Sequence, residues 1–461
     1  MIKKLLIANR GEIAVRIARA ARELDIATVA VCSEADQASL HVRVADEHIS
    51  IGPAPAGQSY LNVDAILAAA REVGADSVHP GYGFLSERAD FAQMVIDAGM
   101  TWVGPSPQAI RLMGDKAQAR ATAASVGVPT IPGSDGPVVG LEEALMAAKE
   151  VGYPVVVKAA AGGGGRGIRI VQSADEMAQA LPVAQAEASA AFGDPSVYVE
   201  RFMASAKHIE VQVFGDGETF VHLGERDCSM QRRRQKVVEE AGAPGLPPRT
   251  RDGMTAAAVR LAEAVKYEGA GTVEFLYDTA RDEFFFIEMN TRIQVEHPVT
   301  EMLVGRDLVQ EQLRVASGHR LPFSQDDVVF RGHSIEARLN AEDPEQSFMP
   351  SPGTLASFRM PGGPFVRIDS GYEAGSQVSP FYDSLLAKII VWGETREEAL
   401  SRLRRALDEV EVLGVATTVE FLRRLVELPQ FREGNYSTTF LETWMSSRSS
   451  ETGSEDLEEE E

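Results

Sequence analysis

The tightest constraint on the fold of this chain is a glycine-rich loop placed between two strand patterns. Tyr153 to Ala160 alternates as a strand, Gly162-Gly163-Gly164-Gly165-Arg166-Gly167 follows, and Ile168 to Val171 reads as a second strand. A P-loop requires Lys and Ser or Thr after its last glycine, with a helix behind. Ile168-Arg169 stand there instead, so that motif is excluded. A hairpin lid remains. Without β-carbons, the backbone at Gly163, Gly164 and Gly165 can approach a ligand closely and turn its N–H groups toward phosphate oxygens. Lys158, on the preceding strand, adds a point charge. A lone glycine run is more often a surface loop, so the rest of the chain has to decide.

At 461 residues the chain is long enough for about three domains. Its 45 Lys and Arg against 68 Asp and Glu give a net charge of −23, which repels nucleic acid and confines any phosphate site to a local basic patch. No stretch approaches the ~20 apolar residues of a membrane span. Cys32 and Cys228 form no CxxC pair, which fits a reducing compartment, and the N-terminus turns polar at Asn9-Arg10 too soon for a signal peptide; a cytoplasmic protein is expected.

Lys3 to Ala8, the helical spacing of Ile13, Ile17, Ala20, Ala21 and Leu24, and Thr28 to Ser33 make a strand, helix, strand unit. It lacks GxGxxG, which argues against a dinucleotide dehydrogenase. The expected fold class is mixed α/β, with a Rossmann-like domain at 1–113 and a connector at 114–130. A lid domain follows at 131–203, then a core with a mixed α/β C-terminal domain at 204–445, and a disordered acidic tail at 446–461. The boundary into the lid domain rests on the density of Pro and Gly from Gly127 to Gly140. A further break is expected from Pro350 to Pro364, and the tail on its seven acids against one arginine.

Gly271 to Asp278 and Glu283 to Met289 read as a hairpin. Centred on Arg281, it sets Glu274 opposite Glu288, with Asn290 on the face of Glu288. Like charges so placed oppose pairing unless a cation bridges them, and hard oxygen ligands near phosphate favour magnesium. One Glu facing solvent is the equal alternative. Arg292 and Glu296 follow at once: a planar donor beside a carboxylate could hold bicarbonate and remove its proton, or the two could form an ion pair that staples a loop. On the strand His333 to Leu339, Ser334, Glu336 and Arg338 share a face. Arg338 is thus a candidate donor to a developing oxyanion, with a solvated strand face as the alternative.

Taken together these segments resemble the biotin carboxylases. The resemblance runs from Ile2 to about Leu441 through IANRGEIAVRI at 7–17, HPGYGFLSE at 79–87, RLMGDK at 111–116, the glycine loop, ERDCSMQRR at 225–233, QKVVEE at 235–240 and EMNTRIQVEHPVTE at 288–301. It implies an ATP-grasp fold that uses ATP, Mg2+ (or Mn2+) and bicarbonate to carboxylate biotin on a carrier protein. Lys116 and Lys158 would bind ATP phosphates, Glu200 and Met203 would lie at the adenine hinge, and His208 and Gln231 would line the nucleotide site. Glu274, Glu288 and Asn290 would hold the metal. Lys236, Arg292, Gln294, Val295 and Glu296 would surround bicarbonate, with Glu296 as base. Arg338 would face the biotin ureido oxygen and Tyr82 would border that pocket.

The resemblance also implies a homodimer, a separate biotin carboxyl carrier protein and carboxyltransferase subunits, since no Met-Lys-Met biotinylation site occurs. Three positions depart from the family pattern: Arg234 where many relatives carry His, Ala161 where a glycine is expected, and Pro364 near an aromatic interface position. A different ATP-grasp ligase would share the loop and metal ligands but has no need of RIQVEH or Arg338. A nucleotide-sensing module would lack some of the base, anion and metal groups.

Overall fold

The computed structural model describes residues 1–134, 136–159, 168–203 and 205–455. They form two compact units, one made of Met1–Val128, Lys207–Phe275 and the chain from Glu288 onward, the other of Pro129–Ala206 with Leu276–Ile287.

The larger unit begins with five parallel strands, β1 (Lys4–Ile7), β2 (Ala27–Cys32), β3 (Glu47–Ser50), β4 (Ser77–His79) and β5 (Thr101–Trp102), in the order β3-β2-β1-β4-β5. Leu5, Leu6, Ile7, Val29, Ala30 and Val31 are all fully buried, as a parallel sheet covered on both faces requires. Helix α1 (Gly11–Arg22) starts at the turn after β1 and buries Ile13, Ile17, Ala20 and Ala21, the stripe legible in the sequence. These residues share one core with Phe214, Val221, Ala270, Ile293 and Leu308.

The smaller unit is a three-stranded antiparallel sheet, β6 (Val155–Ala159), β7 (Ile168–Val171) and β8 (Val197–Arg201), in the order β7-β6-β8. Helices Leu141–Val151 and Ala174–Phe192 cover it through Ala144, Ala148, Met177, Leu181 and Ala184. Strand, loop, strand is the expected hairpin: β6 and β7 pair antiparallel, with Lys158 opposite Ile168. Gly163, Gly164 and Gly165 lie outside the described residues. The unit begins at Pro129, close to the expected 131, but it also takes in Leu276–Ile287, a segment remote in sequence and not foreseen.

An eight-stranded sheet carries the polar residues of interest. Its strands β9 (Ala206–Asp216), β10 (Phe220–Arg232), β11 (Gln235–Ala241), β12 (Glu268–Asp278), β13 (Glu283–Asn290) and β14 (His333–Asn340) run in the order β13-β12-β9-β10-β11-β14, followed by Leu385–Gly393 and Val366–Ser370. β14 lies between β11 and Leu385–Gly393, antiparallel to both. A helix over Arg396–Glu409 covers the apolar face through Ala399, Leu403 and Leu407, packed with Ile335, Ala337 and Leu339.

One expectation does not hold. Pro350 to Pro364 divides nothing: it forms short strands, Gly353–Thr354 and Ser357–Arg359 among them, inside the larger unit. At the start of the expected acidic tail one helix spans Phe440–Glu455, and residues 456–461 lie outside the described residues. Leu441 anchors that helix in the core with Trp444 and Met445 beside it, and the backbone continues helically across the expected boundary. Cys32 and Cys228 are buried free thiols, and no helix among the described residues is long and apolar enough to cross a membrane.

Gly332, just before β14, has a φ of +69°, and an added Cβ would lie 2.2 Å from the Gly393 carbonyl oxygen. Both the left-handed backbone and the contact with fixed main chain exclude a side chain. Gly332→Ala should therefore lower stability by about 2–3 kcal/mol in chemical denaturation; a change below ~0.5 kcal/mol would show that the turn relaxes freely.

Candidate active site

The site is built on the polar face of β9 to β14, where alternation brings residues two apart to the same side. Arg226 on β10 is its centre, entirely buried. Its Nε donates to Glu210 at 2.6 Å, Nη1 to Gln212 at 2.8 Å and Thr300 at 2.9 Å, and Nη2 to Thr272 at 3.1 Å and Gln294 at 2.7 Å. Every donor of the guanidinium is thereby used, as burial of so polar a group demands.

Lys236 on β11 lies next to it. Its Nζ donates to Glu210 at 2.6 Å, Glu296 at 2.5 Å and, more weakly, Glu274 at 3.4 Å. Glu296 precedes helix His297–Val304, and its second oxygen accepts from Arg338 Nη2 at 2.9 Å. Burial alone would raise the Glu296 carboxyl, but the charges of Lys236, Arg338 and Arg226 hold it well below the usual carboxylate range. It is ionised near neutral pH, as a general base must be. Arg338 also donates through Nε to Glu239 at 2.6 Å. The polar face of β14 is thus no solvated surface: Ser334 and Glu336 are fully buried.

Glu274 on β12 and Glu288 on β13 stand on neighbouring strands. Glu274 accepts from Asn290 Nδ2 at 2.7 Å and Gln294 Nε2 at 3.0 Å, and its other oxygen meets His208 Nε2 at 2.8 Å. Burial and then the Glu274 charge push the Glu288 carboxyl up, with Lys116 opposing. A divalent cation between the two acids would relieve that repulsion, and carboxylate and amide oxygens suit magnesium. His208, Glu210 and Glu274 also bring three ligand atoms within 4.8 Å of one another. Glu210, however, is already neutralised by Arg226 and Lys236, so the oxygen set of Glu274, Glu288 and Asn290 fits a hard cation better.

Arg292 does not pair with Glu296. It donates to Glu87 at 3.0 Å through Nε and to Asn290 Oδ1 at 3.0 Å through Nη2, so its ion pair is made with a distant segment and not with Glu296. Gln231 is buried directly across the ladder from Lys236, and the Val295 carbonyl accepts from Lys388 at 2.9 Å. The Tyr82 hydroxyl bonds Glu12, and its ring lines a 380 Å³ cavity with Arg10, Phe84, Phe381, Tyr382 and Asp383. In the smaller unit, Lys158 on β6 pairs with Glu200 on β8 at 2.5 Å, and half-buried Met203 follows β8.

Arg226, Glu210, Glu239 and Glu87 were missed as site residues. The available signal was position: Glu210 shares a strand face with His208, and Arg226 sits inside ERDCSMQRR, a segment otherwise reading as buried strand.

Known proteins resemble this chain over nearly its whole length. Residues 1–110 match the model of the biotin carboxylase N-terminal domain, 115–324 that of the carbamoyl-phosphate synthase L chain ATP binding domain, and 336–443 that of the biotin carboxylase C-terminal domain. Fold and site therefore define an ATP-grasp ligase. Biotin carboxylase 1 of Bacillus subtilis is 53% identical over 446 residues, covering 96% of this chain and 99% of its own. Biotin carboxylase of Pseudomonas aeruginosa is 54% identical over 444 residues, covering 96% and 98%. The chain belongs to the biotin carboxylase family. Among solved structures, the biotin carboxylase domain dimer of Hydrogenobacter thermophilus 2-oxoglutarate carboxylase, in complex with MgADP, ADP and bicarbonate, aligns with a TM-score of 0.87 at 47% identity, covering 96% of this chain and 98% of that one. A Campylobacter jejuni biotin carboxylase complexed with β,γ-ATP aligns with a TM-score of 0.89 at 46% identity, covering 96% and 99%.

Arg226→Met should destabilise the protein by about 3–5 kcal/mol in urea denaturation, since Glu210, Gln212 and Gln294 lose a shared partner in a site closed to water. A loss under ~1 kcal/mol would mean that this network carries little of the fold's stability.

Proposed function

We propose that this chain carboxylates biotin held on a separate carrier protein, using ATP, magnesium and bicarbonate, as the first half-reaction of an acyl-CoA carboxylase. The observation that carries the reading is Glu296, a buried carboxylate kept ionised between Lys236 at 2.5 Å and Arg338 at 2.9 Å. That is a base clamped beside two anion-binding cations.

In this scheme Arg292, Lys236, Gln294 and the Val295 backbone hold bicarbonate and Glu296 takes its proton. The anion then attacks the terminal phosphate of ATP to give carboxyphosphate and ADP. Lys116, Lys158, Glu200, Met203, His208 and Gln231 are assigned to the nucleotide, the two lysines to its phosphates. Magnesium, held by Glu274, Glu288 and Asn290, would offset phosphate charge during transfer. Carboxyphosphate yields carbon dioxide and phosphate. Phosphate deprotonates the ureido nitrogen, and Arg338 stabilises the resulting enolate oxygen while carbon dioxide is attacked. Tyr82 borders the biotin pocket.

A homodimer is proposed in keeping with the dimeric relative from Hydrogenobacter thermophilus. A carrier protein and carboxyltransferase subunits are the further partners proposed, fatty acid synthesis is the proposed use, and the buried free thiols accord with a cytoplasmic setting.

Glu296→Ala should reduce bicarbonate-dependent ATP cleavage at least about 100-fold while nucleotide binding by calorimetry is retained; unchanged turnover would remove Glu296 as the base. Arg338→Ala should spare biotin-independent ATP cleavage and lower biotin carboxylation about 100-fold. Equal losses in both assays would assign this arginine to the phosphates instead.

A further inference from the structure

Behind Arg338 stand two acids that the scheme above does not use. Glu239 on β11 and Glu336 on β14 are register partners in the antiparallel ladder, and both are fully buried. Side chains so opposed share a face with Cβ atoms about 4.5–5.5 Å apart, where two negative charges resist pairing. Among the described residues, none of the neighbouring cations pairs with Glu336. Arg338, two residues along β14 on the same face, divides its donors between Glu239 and Glu296. Lys236 is taken by Glu210 and Glu296. Lys388, opposite Arg338 on Leu385–Gly393, reaches Glu12 at 3.0 Å and the Val295 carbonyl at 2.9 Å. Both carboxyl oxygens of Glu336, and Oε2 of Glu239, are buried without a hydrogen-bond partner among the described residues. An ionised carboxylate in that position is far costlier than a protonated one.

We propose that Glu239 and Glu336 share one proton, held chiefly on Glu336, and that the pair is a positioning element for Arg338. It presents the back of the guanidinium with one negative charge instead of two, leaving the other edge to Glu296 and a substrate oxygen. The inference rests on the carboxylase reading for the substrate but not for the proton.

Electrostatics agree with the geometry. Burial pushes Glu239 up to about 7 although Arg338 opposes it, and burial with the charge of Glu239 takes Glu336 well above the ordinary carboxylate range although Lys388 opposes it. The charged groups facing the pair are Lys236 from β11, Arg338 from β14, Glu296 from the start of helix His297–Val304, and Lys388 with Glu12 and Asp369 behind it. Loss of the shared proton adds a second negative charge behind Arg338 and draws the guanidinium back from substrate, so biotin binding weakens as pH rises through the pair's titration.

Infrared difference spectroscopy of the full chain, in H2O and D2O, tests the pair directly. A carbonyl band of a protonated carboxylic acid is expected at neutral pH, disappearing as pH rises and absent from Glu336→Gln. Its absence from the unmodified protein at neutral pH would overturn the proposal without recourse to any variant. In steady-state assays the KM for free biotin should rise at least about fivefold as pH rises through the loss of that band, and Glu336→Gln, which keeps position 336 uncharged, should flatten that rise. A variant profile superimposable on the unmodified one would overturn the positioning role. Bicarbonate-dependent ATP cleavage without biotin reports on the carboxylase reading separately, and the infrared measurement needs no turnover, so the two failures are distinguishable.

Discussion

A single buried guanidinium organises the site. Arg226 cannot be desolvated unless every N–H finds an acceptor, and the acceptors it uses come from β9, β12, the loop carrying Gln294 and the helix that begins at His297. Meeting that demand fixes Glu210 for Lys236 and Gln294 for Glu274, and through them the two acids proposed for metal and base. The chemistry is arranged around a group that itself touches none of the reacting atoms in the proposed scheme.

In a chain with a net charge of −23 the acids greatly outnumber the bases, so an anion-handling site needs its cations concentrated. Arg226, Lys236, Arg292 and Arg338 all approach the strip between β9 and β14, each held by at least one carboxylate. Pairing of this kind does two things at once. It makes burial of the cations tolerable, and it keeps Glu296 ionised where burial alone would protonate it.

Much of this was legible in the sequence because strands with one polar and one apolar face announce themselves by alternation. β12, β13 and β14 fall within a few residues of the expected spans, and the face holding Arg338 was correctly read as a unit. The adjacency of Asn290, Arg292, Gln294 and Glu296 along the chain likewise carried most of the site. What alternation cannot supply is the partner from a distant segment. Nothing local to Arg292 points to Glu87, 205 residues away, and nothing near Glu239 reveals that Glu336 lies across from it. The same limit explains Leu276–Ile287, whose membership of the smaller unit is a property of packing and not of its own residues. At the other end of the chain, Leu441, Trp444 and Met445 supply an anchored first turn from which the helix Phe440–Glu455 propagates.

The shared core beneath α1 bears on how such a chain can be divided. Ile13 and Ile17 pack with Phe214, Ala270 and Ile293, while Glu12 holds Lys388, whose other bond steadies the Val295 carbonyl. The first hundred residues are thus a structural wall of the catalytic region, not a module hung upon it. A polypeptide severed between residues 110 and 115 would bare that apolar wall on both fragments and part Lys388 from its Glu12 partner.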